Sequence, residues 1–464
     1  MSSRRKFLQN LSSTALLVGT GSLSKLMAEE NYETRIIPWE RKFSSNDKVR
    51  IAVIGTGIMG HNDLESALKV PGVELAAACD LYTGRLERMK ELYGKDLFTT
   101  RDYREILEKK DIDAVIIATS DNWHSRISID ALSKGKHVYC EKPMVHRLNQ
   151  GQDVINAWKK SGKIMQVGSQ GISGASFTKA RELYQAGEIG KINCIEATYD
   201  RQSALGAWEY TFPTDESPQT VDWDRYVSMM NPKPKYDPKK FFWWRNYKDF
   251  GTAMSGDLFV HLITGIHYVT GSKGPQKIFS SGQLSYWKDE RDVPDVMVAI
   301  MDYPETKEHP AFQVMLRVNF ISGGGDHSVV RYIGSEGVME KGWDGVKINY
   351  SLMPKATGIG EWDSLTTYPQ AMQDELMKRY NEKWSADDKK TPTKQSVQYK
   401  APQGNDEHVE HFTNFFEGVR DNKPVIEDPI IGFRAAAPCL AANASYEQKK
   451  IIYWDPEKIQ IATI

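Results

Sequence analysis

The short apolar run from Arg50 to Ile54 leads directly into Gly55-Thr56-Gly57-Ile58-Met59-Gly60, and this join constrains the fold more than any other feature of the 464-residue chain. A β-branched apolar run of this length reads as a buried parallel strand. Met59 to Val70 then reads as the first helix. Gly55 permits the tight turn, Gly57 lets the backbone approach a pyrophosphate, and Gly60 lets helix and strand pack closely. The phosphates would rest at the helix N-terminus, on Ile58 and Met59, where free N–H groups and the helix dipole favour negative charge. A second strand, Val73 to Cys79, ends in Asp80, 20 residues past Gly60. From that position a carboxylate takes a ribose 2′-hydroxyl, which favours NAD. Arg85 is close enough to leave NADP open.

The pattern then repeats. Asp113 to Ala118 reads as a strand with the tail Thr119-Ser120-Asp121-Asn122-Trp123-His124. Lys136 to Cys140 reads as another, ending in Glu141-Lys142-Pro143, and Lys163 to Gly168 as a further one. Strand ends on one edge of a parallel sheet line the ligand crevice, so Ser120, Asn122, His124, Glu141 and Lys142 are expected to converge on the cofactor. Lys142 is the ammonium best placed to meet it. Pro143 restricts Lys142 to an extended conformation, and an X-Pro bond can be cis.

The glycine turn, Glu141-Lys142-Pro143 and Asp257-Leu258-Phe259-Val260-His261 together resemble the glucose–fructose oxidoreductase / inositol dehydrogenase family (Gfo/Idh/MocA). The resemblance runs from about Val49 to the C-terminus, with a divergent insert near residues 350–405. It implies an α/β fold: a Rossmann domain over residues 48–168, then residues 169–464 as a substrate and oligomerisation domain built on a large, mostly antiparallel open sheet. The Ala-rich stretch from Phe433 to Glu447 is expected to pack back on the first domain. The resemblance also implies that Lys142 lies near nicotinamide and substrate, that His261 is catalytic, and that Asp257 supports them. Many members carry an acid three residues after the histidine, where this chain has Thr264. Arg201 and His411 match positions near the substrate or cofactor in the family. The aromatic and basic segment Phe241 to Lys248 resembles a further one, making Trp243, Arg245 and Tyr247 sugar-contacting candidates, since aromatic faces suit the C–H faces of sugar rings.

The residue types fit hydride chemistry. On a helix, Asp257 and His261 are four apart and share a face, so the carboxylate can orient the imidazole. Histidine titrates near neutrality and can accept a hydroxyl proton as hydride leaves the same carbon. Lys142 would stabilise developing alkoxide character on that oxygen. His408 and His411 also share a helical face, but no third ligand accompanies them, and no metal is expected. Residues 381–406 are polar and read as a surface loop. Asp222-Trp223-Asp224 and the stretch from Asn231 to Pro238 read as a loop crossing the second sheet.

Charge is balanced, with 60 basic and 61 acidic residues. No basic patch stands out, so nucleic acid is not an expected partner. Cys79, Cys140, Cys194 and Cys439 are scattered and read as small buried hydrophobes rather than a disulfide framework. At the N-terminus, Ser3-Arg4-Arg5-Lys6-Phe7-Leu8 has the twin-arginine pattern, and the apolar stretch from Leu11 to Met27 is too short and Ser/Gly-rich for stable membrane insertion. Residues 1–30 therefore read as a signal peptide for the twin-arginine export machinery, with a periplasmic destination. Free NAD is scarce outside the cytoplasm, so an exported enzyme is expected to keep its cofactor bound and recycle it on a carbohydrate or polyol substrate. Transient oxidation of a sugar, as in glycoside hydrolase family 109, is the alternative, and a non-catalytic NAD-bound sensor is a third reading. The family resemblance implies a homodimer or homotetramer.

Overall fold

In the structure, a computed structural model, residues 48–343, 345–360 and 362–462 are described, and the twin-arginine segment lies outside them. The first sheet comprises β1 (Val49–Ile54), β2 (Val73–Cys79), β3 (Phe98–Thr100), β4 (Ala114–Ile117), β5 (His137–Glu141) and β6 (Met165–Gly168). All its pairs are parallel, in the order β3-β2-β1-β4-β5-β6. Strand order reverses between β1 and β4, and a crevice opens at such a switch point beyond the carboxyl ends of the strands. Gly55 turns the chain there at φ +90°, with the position of a Cβ only 2.5 Å from the Ala118 carbonyl oxygen. A side chain would be excluded by both conformation and space.

Each face of this sheet is covered by helices. The Asp121–Ser133 helix buries Ile127, Ala131 and Leu132 against Ile54, Val115 and Ile117 on one face. On the other, the Ile58–Leu68 helix is joined by the Glu407–Asp421 helix, whose Phe412, Phe415 and Phe416 pack around Tyr139. The last helix, Pro429–Gln448, also reaches the first domain: Phe433 lies against Gly151, and Gly432 against Val167. Asp428 caps that helix by accepting from the Ile430 and Ile431 amides, at 2.9 Å each.

The second sheet continues with β7 (Ile192–Asp200), β8 (Lys277–Gln283), β9 (Val296–Tyr303), β10 (Phe312–Asn319), β11 (His327–Gly334), β12 (Gly337–Lys341), β13 (Gly345–Tyr350), β14 (Val397–Lys400), β15 (Ile452–Asp455) and β16 (Gln460–Ile461). Their order is β14-β13-β12-β11-β7-β10-β9-β8-β15-β16, and β7–β10 is the parallel pair among the described residues. The strands alternate as a half-buried sheet should. Ile195, Ala197, Val314 and Leu316 point into the core, whereas Phe279, Val298, Ile300 and Met315 are exposed on the other face. No helix of the described residues is long and apolar enough to cross a membrane.

Three local expectations change. The polar stretch 381–406 contains the end of the Gln370–Lys383 helix and the strand β14, because β14 adds to the sheet through backbone hydrogen bonds that need no apolar face. Trp223 starts a short helix, Trp223–Tyr226, and its segment crosses the first domain's rim instead of the second sheet. The Thr83 amide donates to the Thr220 carbonyl (2.9 Å), the Asp222 amide to the Leu81 carbonyl (2.8 Å), and Tyr82 forms a bridge with Val221. Asp257 belongs to a π-helical turn, Ser255–Phe259, that precedes the Val260–Thr270 α-helix carrying His261. Such turns occur inside helices at functional positions.

Candidate active site

A cavity of about 380 Å³ lies at the switch point, between the first sheet and the segment that crosses its rim. Gly55, Gly57, Ile58, Met59 and Asp80 line one end, with Ser120 and His124 on the adjoining wall. The atoms nearest the missing Cβ of Gly57 belong to the Arg85 guanidinium, at 3.6 Å, so a flexible side chain and no backbone covers this part of the turn. The Asp80 carboxylate is held by the turn itself, accepting from the Thr56 amide (2.8 Å) and the Tyr82 amide (2.9 Å). Arg85 approaches it at 3.5 Å. An open amide-lined turn next to an anchored carboxylate fits a dinucleotide: amides for pyrophosphate, acid for ribose.

Gly60 and Asn122 stand behind this surface. A Cβ at Gly60 would sit 1.9 Å from the Gly55 carbonyl oxygen, so its lack of a side chain serves packing rather than contact. Gly60→Ala is therefore expected to displace the turn and weaken dinucleotide binding tenfold or more, read by calorimetric titration with NAD. The Asn122 side chain accepts from the Ser120 hydroxyl at 2.7 Å, within the helix start. Both ring nitrogens of His124 face backbone carbonyls, of Pro143 (2.8 Å) and Thr119 (3.1 Å), which fixes the loop containing the Lys142–Pro143 bond. That bond is cis.

At the other end of the cavity, the two motifs meet. The Lys142 ammonium donates to the Asp257 carboxylate (3.0 Å) and to the Asp257 carbonyl (2.9 Å). Arg245 Nε donates to the same carboxylate oxygen at 3.2 Å. Asp257 thus orients Lys142 and Arg245, and not the His261 imidazole as its spacing in the sequence suggests. The two cations outbid a neutral ring for a buried carboxylate. Burial pushes the Asp257 carboxyl up, but Lys142 and Arg245 outweigh it and hold it well below the usual carboxylate range. His261 borders the same cavity, and burial together with the positive charge of Lys142 pushes its pKa well below the usual value. It is consequently a neutral imidazole at physiological pH. Behind Lys142, Glu141 is buried among Asp63, Gln170 and Tyr139, and desolvation raises its pKa.

The substrate candidates separate. Arg245 and Arg201 line the cavity, Arg201 donating to the Gly206 carbonyl at 2.9 Å. Trp243 does not line it: its ring packs on Phe212 and its indole N–H donates to the Tyr210 carbonyl. One residue further along the short helical turn, Trp244 faces the cavity with the Arg245 guanidinium 4.1 Å over its ring. Tyr247 is buried in the core. His411 is also fully buried, its nitrogens bonded to the Ser173 hydroxyl and the Val167 carbonyl, each at 2.8 Å. His408, in the first turn of that helix, is the imidazole that reaches the cavity, because the helix axis leads inward to Tyr139. The spacing of two histidines three apart holds no sign of this choice. Trp208, Tyr210, Arg101 and Arg225 complete the wall, and none stands in a motif that would have singled it out.

Residues 49–169 match the family model of the Gfo/Idh/MocA oxidoreductases, described as an oxidoreductase family with an NAD-binding Rossmann fold. The match covers the nucleotide-binding domain. The chain is 29% identical over 175 residues to inositol 2-dehydrogenase of Salmonella typhimurium, covering 37% of this chain and 50% of that one. It is 29% identical over 161 residues to a glycosyl hydrolase family 109 protein of Shewanella baltica, covering 33% and 35%. The matched region thus spans about half the length of the curated relatives or less. A levoglucosan dehydrogenase structure, in complex with NADH and levoglucosan, superposes with a TM-score of 0.62 at 18% identity over 88% of this chain and 99% of that one. That likeness extends the shared fold through the second domain.

Proposed function

We propose that this Gfo/Idh/MocA-type protein is an NAD-dependent oxidoreductase that oxidises a hydroxyl of a sugar, glycoside or polyol. The observation that carries this reading is the meeting of Lys142, Asp257 and His261 at one end of the cavity whose other end is the glycine turn. NAD bound along Gly57 and Asp80 supplies the hydride acceptor. Lys142, positioned by Asp257, donates to the reacting oxygen, and neutral His261 takes the hydroxyl proton. The similarity to inositol 2-dehydrogenase supports a polyhydroxylated substrate.

The cofactor stays bound and is recycled in this reading. In support, the segment around Thr220 and Asp222 is hydrogen-bonded across the loop that follows Asp80, and Arg101 donates to the Thr220 carbonyl at 2.9 Å. The twin-arginine pattern supports export to the periplasm, and the exposed apolar face of the second sheet suits a homodimer or homotetramer. The relative in glycoside hydrolase family 109 favours one further reading, redox-neutral cleavage through a transient ketone. Protein purified without added cofactor is expected to carry nicotinamide whose reduced-form absorbance rises with a sugar and persists until a second carbonyl compound is added. Release of an aryl aglycone without net reduction would identify the glycosidase route. Cofactor-free protein that turns over only with added NAD would refute recycling.

A further inference from the structure

His261 stands between two cavities. On its other side lies a second one of about 440 Å³, which shares His261, Gln170 and His408 with the first. We propose that this second cavity is a subsite for an additional sugar ring, so that the substrate is a glycoside or oligosaccharide running past His261. The inference rests on the carbohydrate reading above and deepens it.

Aromatic rings lead from His261 along the second cavity. Arg201, in the first cavity, lies 5.5 Å from the Tyr199 ring, and that ring is 6.0 Å from the His261 imidazole. Trp343 continues the row, edge-on to Tyr199 at 5.6 Å. Trp343 is 64% exposed, a large apolar residue left open where it lines the cavity. Indole and phenol rings offer apolar faces with polar rims, which match a sugar ring's C–H face and hydroxyl edge.

The rest of the lining includes polar groups of both signs. The Lys341 ammonium sits 3.8 Å over the Phe177 ring, and Glu407 lines the same cavity together with Ser328 and Gln403. Burial holds Lys341 down to about 8, against the opposing pull of Glu407. Lys400 lines the cavity as well, so ammonium, amide and hydroxyl donors stand beside the Glu407 carboxylate, and groups of both kinds can bind the hydroxyls of a sugar ring. A cavity of this size is within the range of about 300–1,000 Å³ that small-molecule sites occupy.

The test uses the protein as purified, with its cofactor. Calorimetric titrations with glucose, methyl glucoside, cellobiose and maltose compare wild type with Trp343→Ala, a change at an exposed position. At least one disaccharide is expected to bind tenfold or more tightly than the monosaccharides, and Trp343→Ala should erase that margin while leaving monosaccharide affinity unchanged. A margin missing from the wild type, or surviving in Trp343→Ala, overturns the subsite. Nicotinamide absorbance in the same samples reports separately on oxidation. A Trp343-dependent margin without reduction keeps the subsite and refutes oxidation of these sugars, whereas reduction without a margin does the reverse.

Discussion

Lys142→Met is expected to lower the rate at which a sugar reduces the bound nicotinamide by about 10²- to 10³-fold, the usual loss when one positioned donor to a developing oxyanion is removed. Methionine keeps the length and apolar stem of lysine and removes the charge. In the wild type, the ammonium spends two hydrogen bonds on Asp257, which fixes its direction before substrate arrives. No reorganisation is then needed at the moment of reaction. Breaking a buried ion pair usually destabilises by about 3–5 kcal/mol, because one charge is left alone. Here Asp257 keeps Arg245 as a partner, so the fold and the bound dinucleotide should survive the substitution. Single-turnover absorbance measures the rate, and a thermal melt checks the fold. A variant that reduces its cofactor at nearly the wild-type rate would remove Lys142 from the reaction.

His261→Asn is expected to cause a loss of similar size and to change the shape of the pH profile. The proton acceptor must be neutral, and burial with nearby Lys142 keeps this imidazole neutral far below its ordinary pKa. The wild-type rate should therefore be flat from slightly alkaline pH down through 6.5, and fall only as the pH drops through the lowered value. The asparagine variant should lack that acid limb. Stability follows the same sign. Below about 6.5 the unfolded chain takes up a proton that folded His261 refuses, so its contribution is lost as the pH falls from there towards the folded value. A wild-type acid limb centred above 6.5 would count against His261 as the base.

Much of this site was legible because the residues that carry it also obey local rules. Gly55, Gly57 and Asp80 sit at fixed distances from a strand end, and the strand end fixes where they point. Lys142 follows a strand in the same way. What spacing could not reveal was partner choice. Asp257 and His261 are four apart, yet the carboxylate turns to Lys142 and Arg245, which come from residues 115 and 12 positions away. The aromatic run shows the same limit. Trp243 and Trp244 are indistinguishable by composition, and only the turn of a short helix decides which one meets the cavity. Likewise, His408 and His411 differ in their distance from a helix start, a property that appears only once the helix is docked. The open second sheet was expected from the resemblance, whereas β14 escaped notice because its residues are polar.

The Glu407–Asp421 helix bears on how the chain is made. Phe412, Phe415 and Phe416 fill the core beneath β1, β4 and β5, so the nucleotide-binding domain is finished by residues translated long after its last strand. At about 5–20 residues per second, the ribosome delivers that helix on the order of ten seconds or more after β6 has emerged. Until then the sheet presents Tyr139 and its apolar neighbours to the surrounding solvent and to chaperones. The first domain is contiguous in the sequence but not autonomous in assembly, and cofactor loading becomes a step that follows completion of the whole polypeptide.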